Sequence, residues 1–220
     1  MDTQRLRAAL DAGDPAIRLR AALAIGTRPD ACLVDALVTR CGVEPDFFVR
    51  DMLTWALTRF PPDVTVPRLR AELGAAHAPA RGQALHTLSK IGDRSAWPAI
   101  TRSLLHDPDD EVARTAWRTA VVLVPDGERA ALAAELAAEF GRGDRDVRLS
   151  LSRAIVALDD VAEPVLAAAM AHPDPAVRAH ARATERLLQD PDAGFDLSVH
   201  EATRAVALDH TRREAAGADR

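Results

Sequence analysis

The chain has 220 residues, of which 48% are hydrophobic and 28% charged, with a formal net charge of −5. That is enough apolar material for a core and excludes an intrinsically disordered chain. No stretch approaches the roughly 18 uninterrupted apolar residues of a membrane span, and Met1 to Asp14 mixes acids and bases where a secretory leader would be apolar. A cytoplasmic protein without membrane association is therefore expected.

Ala and Arg dominate, Lys occurs once at Lys90, and Tyr and Asn are absent, a bias that fits a GC-rich bacterial genome. Ala and Leu are strong helix formers, and β-branched runs are short, so local propensity favours helices.

In chain order, "QRLRAALDAG" opens the chain and is followed by "DPAIRLRAALAIG", "PDFFVRDMLTWAL", "APARGQALHTLSKIG", "DDEVARTAWRTAV", "DRDVRLSLSRAIVAL" and "DPAVRAHARATERLL". These six segments align on Ile17, Val49, Ala80, Val112, Val147 and Val177, at spacings of 32, 31, 32, 35 and 30 residues. Between them lie "LVDALVTRC", "VPRLRAELG", "AWPAITRSLL", "ALAAELAAEF" and "VAEPVLAAAM", apolar at i, i+3, i+4 and i+7. Each period therefore holds two short helices and two turns. A further helix over Phe195 to Leu208 is expected to cap the array, giving one domain over residues 1–208 and a disordered tail over 209–220.

The punctuation agrees with helix-end chemistry. Asp14-Pro15 and Asp174-Pro175 place a capping carboxylate before a proline at the first helical position. Pro67, Pro98 and Pro164 are expected in first turns, and Gly26, Gly92 and Gly141 at helix stops. Cys32 and Cys41 fall about 13.5 Å apart on one expected helix, at ~1.5 Å rise per residue, and are expected as two buried thiols.

The repeated helix pair and its "DPxVR" signature resemble the HEAT-repeat family, in particular its bacterial branch of phycobilisome-lyase-type repeats, over nearly the whole chain. The resemblance implies an all-α, right-handed superhelical α-solenoid of about six helical hairpins plus a C-terminal capping helix. Such arrays are alike because they stack, whatever they bind, so the resemblance speaks for a non-catalytic scaffold rather than for a particular partner.

Arg18, Arg50, Arg81, Arg148 and Arg178 each follow an anchor, and Asp14, Asp46, Asp144 and Asp174 stand four residues before four of them. An i,i+4 ion pair on one helix, extended to the neighbouring repeat, is the expected use of this ladder. The resemblance places the second helix of each pair on the concave surface, with the positions two, three, six and ten after the anchor facing inward. They hold Arg20; Asp51, Met52, Trp55 and Arg59; Gln83, His86 and Lys90; Arg114, Thr115 and Arg118; Ser150 and Arg153; and His180.

Six cations against one acid make this expected face basic in an acidic protein, suited to an acidic protein segment or a phosphate backbone. The other reading is that several of these arginines pair with acids elsewhere. Trp55 is either an exposed contact or packed in the seam with Phe47 and Phe48; Trp97 and Trp117 are expected in the core.

Locally, "DFFVRDMLTWALTRF" resembles a helix of the DNA-alkylation-repeat family, whose HEAT-like folds act on alkylated purines in DNA. By that resemblance Asp51, Trp55 and Arg118 correspond to the groups of a nucleic-acid groove. The segment stands near the N-terminal end, not the C-terminal end as in that family, which leaves a second tryptophan and the catalytic acid unassigned. The seven histidines are scattered, and only His200-Glu201 forms a His-Glu pair, so neither a metal site nor a cofactor is expected. The leading expectation is a protein-binding scaffold, with nucleic-acid binding as the alternative.

Overall fold

A computed structural model of the chain describes residues 2–190 and Thr203. Every regular element among them is helical. The chain divides into two compact units, Met1–Leu123 and Val124–Arg220.

The first unit contains α1 (Thr3–Leu10), α2 (Pro15–Thr27), α3 (Val34–Cys41), α4 (Phe47–Thr58), α5 (Pro62–Glu72), α6 (Ala78–Ile91), α7 (Arg102–Leu105) and α8 (Asp110–Leu123). They pair as successive hairpins. The second helices pack side by side as α2, α4, α6 and α8, and α1, α3 and α5 form the other layer. Ala22, Ala56, Ala84, Ala113, Ala116 and Ala120 are buried along the second helices, where a methyl group is all that a close helix seam admits. Leu37, Leu53, Leu57, Leu69, Leu85, Leu88 and Trp117 fill the space between the layers.

The second unit contains α9 (Arg129–Ala137), α10 (Arg145–Val156), α11 (Ala162–Met170) and α12 (Pro175–Gln189). It is built the same way, with α9 against α11 and α10 against α12. Leu136, Leu151, Ile155 and Leu166 form its core. The expected capping helix over Phe195 to Leu208 and the tail lie outside the described residues, apart from Thr203.

Capping carboxylates start the second helices except α6, whose cap residue His77 makes no side-chain bond to the helix. The carboxylates of Asp14 and Asp174 accept from the backbone N–H of Ala16 and Ala176 at 2.8 Å each, with Pro15 and Pro175 as first helical residues. Asp46 caps α4 through Val49 N–H at 3.0 Å, and Asp109 caps α8 through Val112 N–H at 3.1 Å. The expected i,i+4 ladder is thus replaced by caps, and the arginines turn elsewhere. Arg18 donates to the carbonyls of Ala12 and Gly13 and pairs through two bonds of 2.7 Å with Glu44, 26 residues ahead. Arg81 repeats this with Ala75, Ala76 and Asp107.

Three further expectations are corrected. Gly26 does not end a helix; it lies buried inside α2, where a Cβ would come within 2.4 Å of the Trp55 ring. Gly92 does end α6, in the left-handed conformation at φ 70°. Pro67 sits inside α5, because the pair Pro61-Pro62 starts that helix earlier than the pattern suggests. Cys32 belongs to a short 3₁₀ turn (Ala31–Leu33) outside α3 and is exposed, whereas Cys41 is buried and its thiol is pushed up to about 11 by that burial.

Candidate functional site

A groove of about 700 Å³, open to solvent, crosses the second helices of the first unit. Its walls are the N-terminal halves of α4, α6 and α8 and the loops that lead into them. Two carboxylates outside the caps hold those loops. Glu44 accepts from Arg18, from Arg40 at 2.8 Å and from the Asp46 N–H at 3.0 Å; Asp107 accepts from Arg81 and from the Asp109 N–H at 3.0 Å. Burial alone would raise the Glu44 pKa, but the guanidinium bonds of Arg18 and Arg40 prevail and hold it at about 2.

The repeat offset from Val49, Ala80 and Val112 brings Asp51, Gln83, His86, Thr115 and Arg118 to this groove. Gln83 donates its amide to Thr54 Oγ1 at 2.8 Å, and Thr115 donates its hydroxyl to the Glu111 carbonyl at 2.8 Å. Desolvation lowers the His86 pKa, and Lys90 and Arg118 lower it further against the opposing pull of Asp51. The pKa of the exposed Arg118 guanidinium is also lowered, by partial desolvation and the nearby charge of Arg114 against the opposing pull of Glu111.

The remaining expected positions fall outside this groove. Arg20, Lys90 and Arg153 are exposed on α2, α6 and α10, and Met52 is half-buried on α4. Arg114 is held by Glu111 at 2.6 Å. Trp55 is 37% exposed and rests on Gly26 rather than beside Phe47 and Phe48, with the Arg59 guanidinium 6.0 Å from its ring centre. Trp117 is fully buried, its indole donating to the Leu105 carbonyl at 2.8 Å.

His180 contradicts its expected place on a binding face. It is 2% exposed, its Nδ1 accepts from the Gly141 N–H at 3.1 Å, and its Nε2 lies 3.0 Å from the Arg148 carbonyl and 3.1 Å from the Ser152 hydroxyl. Phe140 packs edge-on against the ring at 4.9 Å. Burial depresses the imidazole pKa to about 4, so it stands neutral in a core network.

The groove lining is also not the basic track that the offsets suggested. Glu44, Asp51, Asp109 and Glu111 line it beside Arg50 and Arg118. The offset rule considers only the second helices, and so misses the loop residues Val43 and His77, the cap Asp109, and Phe47 at the helix start. A local signal for Phe47 did exist: Phe47 and Phe48 are adjacent on a helix, and a 100° step does not let both face one core seam. They are 66% and 73% exposed and meet edge to face at 5.6 Å.

Among the described residues no group of three His, Cys, Asp or Glu could hold a metal ion, and no helix is long and apolar enough to cross a membrane. The acid and tryptophan of the alkylation-type helix do not meet in the groove: Asp51 lines it and Trp55 does not.

Residues 44–120 match the family model described as HEAT repeats. No curated protein matches the chain. Among solved structures, it is similar to an engineered protein at 18% identity, over 92% of this chain and 98% of that one, with a TM-score of 0.47. It is also similar to the complex of CpcE and CpcF of phycocyanin lyase from Nostoc sp. PCC7120, at 19% identity over 96% of this chain and 88% of that one, with a TM-score of 0.49. The described residues form an all-α helical-repeat array, similar to HEAT repeats over residues 44–120.

Proposed function

We propose that the protein is a non-catalytic scaffold that binds a protein partner through the groove across α4, α6 and α8. The observation that carries this reading is the groove itself, about 700 Å³ in volume and edged by a phenylalanine two-thirds exposed to water. An exposed aromatic in a largely apolar groove that also carries charged side chains supplies the apolar anchor and the polar rim that protein recognition uses.

The test is capture of a partner by the purified chain, repeated with Phe47→Ser and with Glu163→Lys as a control on α11. A partner retained by wild type and control but lost from Phe47→Ser supports the reading; equal retention by all three sinks it.

Nucleic-acid binding is the second reading, carried by the exposed Arg59 and Trp55 pair. The four carboxylates of the groove oppose a phosphate backbone there, and the Trp55 ring already rests on Gly26. Fluorescence anisotropy of labelled duplex and single-stranded DNA, at low and moderate salt, separates the readings. Micromolar binding that is lost on charge reversal of Arg59 and on Trp55→Ala would put nucleic acid first; no binding at low salt would remove it.

A further inference from the structure

Most charged groups lining the groove are already committed within the protein. Glu44 is held by Arg18 and Arg40, Asp109 caps α8, Glu111 pairs with Arg114, and Arg50 donates to the carbonyls of Glu44 and Pro45 at 2.8 and 2.9 Å. Two groups differ. Asp51, on α4, is exposed and has no hydrogen bond or ion pair among the described residues. Arg118, on α8, makes one hydrogen bond, from Nη2 to the Thr115 hydroxyl at 3.0 Å, which leaves its other four N–H donors unfilled among the described residues.

That single bond orients the guanidinium. Thr115 is tied to the Glu111 carbonyl and accepts from Arg118, so the planar fork is held while its free donors remain available to an anion. The neighbouring cation Arg114 is occupied by Glu111, so Arg118 is the guanidinium on α8 left open to a carboxylate. Asp51 stands on the other side of α6 with the exposed side chains of Val43 and Phe47 lining the same groove.

We infer that the groove takes an extended segment of a partner protein bearing a Lys or Arg for Asp51 and an Asp or Glu for Arg118, about five residues apart. The spacing follows from geometry. Helices pack about 8–10 Å apart, so α4 and α8, on either side of α6, are separated by roughly 16–20 Å; an extended chain covers that distance in about five or six residues at ~3.3 Å each. An apolar residue beside the basic one would meet Val43 and Phe47, and His86 on α6 faces the middle of the segment. The opposite charges at the two ends also fix the direction in which the segment lies.

This inference rests on the scaffold reading, and the test separates the two. The whole chain is immobilised and selected against a random dodecapeptide display library. Enriched peptides are expected to hold a basic and an acidic residue four to six positions apart, with an apolar residue beside the basic one. In fluorescence anisotropy the consensus peptide should bind at least tenfold more weakly to Arg118→Gln and to Asp51→Asn, both checked for unchanged helical content and melting. The double charge swap Asp51→Arg with Arg118→Glu should recover binding to the peptide with its two charges exchanged.

Enrichment without the charge pair, no enrichment, or a change under threefold in both single variants would overturn the inference. Peptides that lack the pair but are lost on Phe47→Ser would leave the scaffold reading standing alone. Peptides indifferent to every groove substitution would overturn both.

Discussion

The two units close their hairpin junctions with different chemistry. In the first, a carboxylate two residues before the helix cap, Glu44 or Asp107, binds the arginine 26 residues upstream and the cap's own backbone N–H. In the second, His172 holds that place before Asp174, its Nδ1 accepting from the Asp174 N–H at 3.1 Å. Arg148 there reaches only the Gly141 carbonyl, at 3.4 Å, and its buried Nε has no partner among the described residues. The second unit relies instead on the neutral His180, joined to Ser152 and through it to Thr184 at 2.7 Å. One repeat plan therefore yields two acid sensitivities, because ionised carboxylates and a neutral imidazole respond to protons in different pH windows.

All three tryptophans, Trp55, Trp97 and Trp117, lie in the first unit. Indole fluorescence thus follows that unit, while far-UV circular dichroism follows both. The largest expected effect is that of Trp117→Ala, which empties a fully buried site and orphans the Leu105 carbonyl; it should cost the first unit about 4 kcal/mol. Urea unfolding by circular dichroism should then show two steps, only the second unit keeping the wild-type midpoint. A single shifted step would mean that the units unfold as one and would dissolve the comparison.

Glu44→Gln comes next, at about 3 kcal/mol, since it leaves Arg18 and Arg40 around a neutral group in a buried position. Its pH signature has a definite sign. The folded carboxylate titrates at about 2 against an ordinary 4.5, so its stabilisation is full above pH 4.5 and is lost as pH falls toward 2. Melting followed by fluorescence should decline through that window in wild type and less steeply in Glu44→Gln; parallel slopes would remove Glu44 as the cause.

In the second unit the window lies higher. The folded imidazole of His180 titrates at about 4 against 6.5, so the unfolded chain takes up a proton first and stability falls as pH drops from 6.5 toward 4. A loss on the order of 3 kcal/mol is expected. Circular dichroism should therefore decay at higher pH than fluorescence does, and His180→Gln should weaken that early phase. Coincident acid transitions would contradict the contrast.

The smallest effect should come from Gly26→Ala, about 1–2 kcal/mol, because the added Cβ would meet the Trp55 ring at 2.4 Å and the Ala56 Cα at 2.9 Å, so that the ring must leave its seat or α2 must draw away from α4. A red shift in emission with little change in helical content would report it; an unmoved spectrum would show that α2 and α4 part instead.

Much of the fold was legible because its signals are short-range. Helix periodicity, the Asp-Pro caps and the recurring anchors each involve residues within a few positions of one another. Val49, Val112 and Val147 are buried as their repeat implies, whereas Ile17, at the matching position of α2, is 38% exposed. The groove was legible in part: Asp51, Gln83, His86 and Arg118 line it, while Val43, His77 and Asp109 enter from loops that the helical offset does not address. His180 shares its offset with Gln83, yet it is buried because Phe140 and Gly141 close over it.

By itself the sequence determined the all-α class, the helix pairs and most of their capped starts, since these depend on 3.6-residue periodicity and on donors left open at helix ends. Tertiary structure alone decided which charges stay free. Arg18 was drawn to Glu44 and Arg81 to Asp107, each a carboxylate 26 residues away, leaving Asp51 and Arg118 uncommitted in the groove. Charge pairing depends on distance in space and on desolvation, and a linear pattern carries neither.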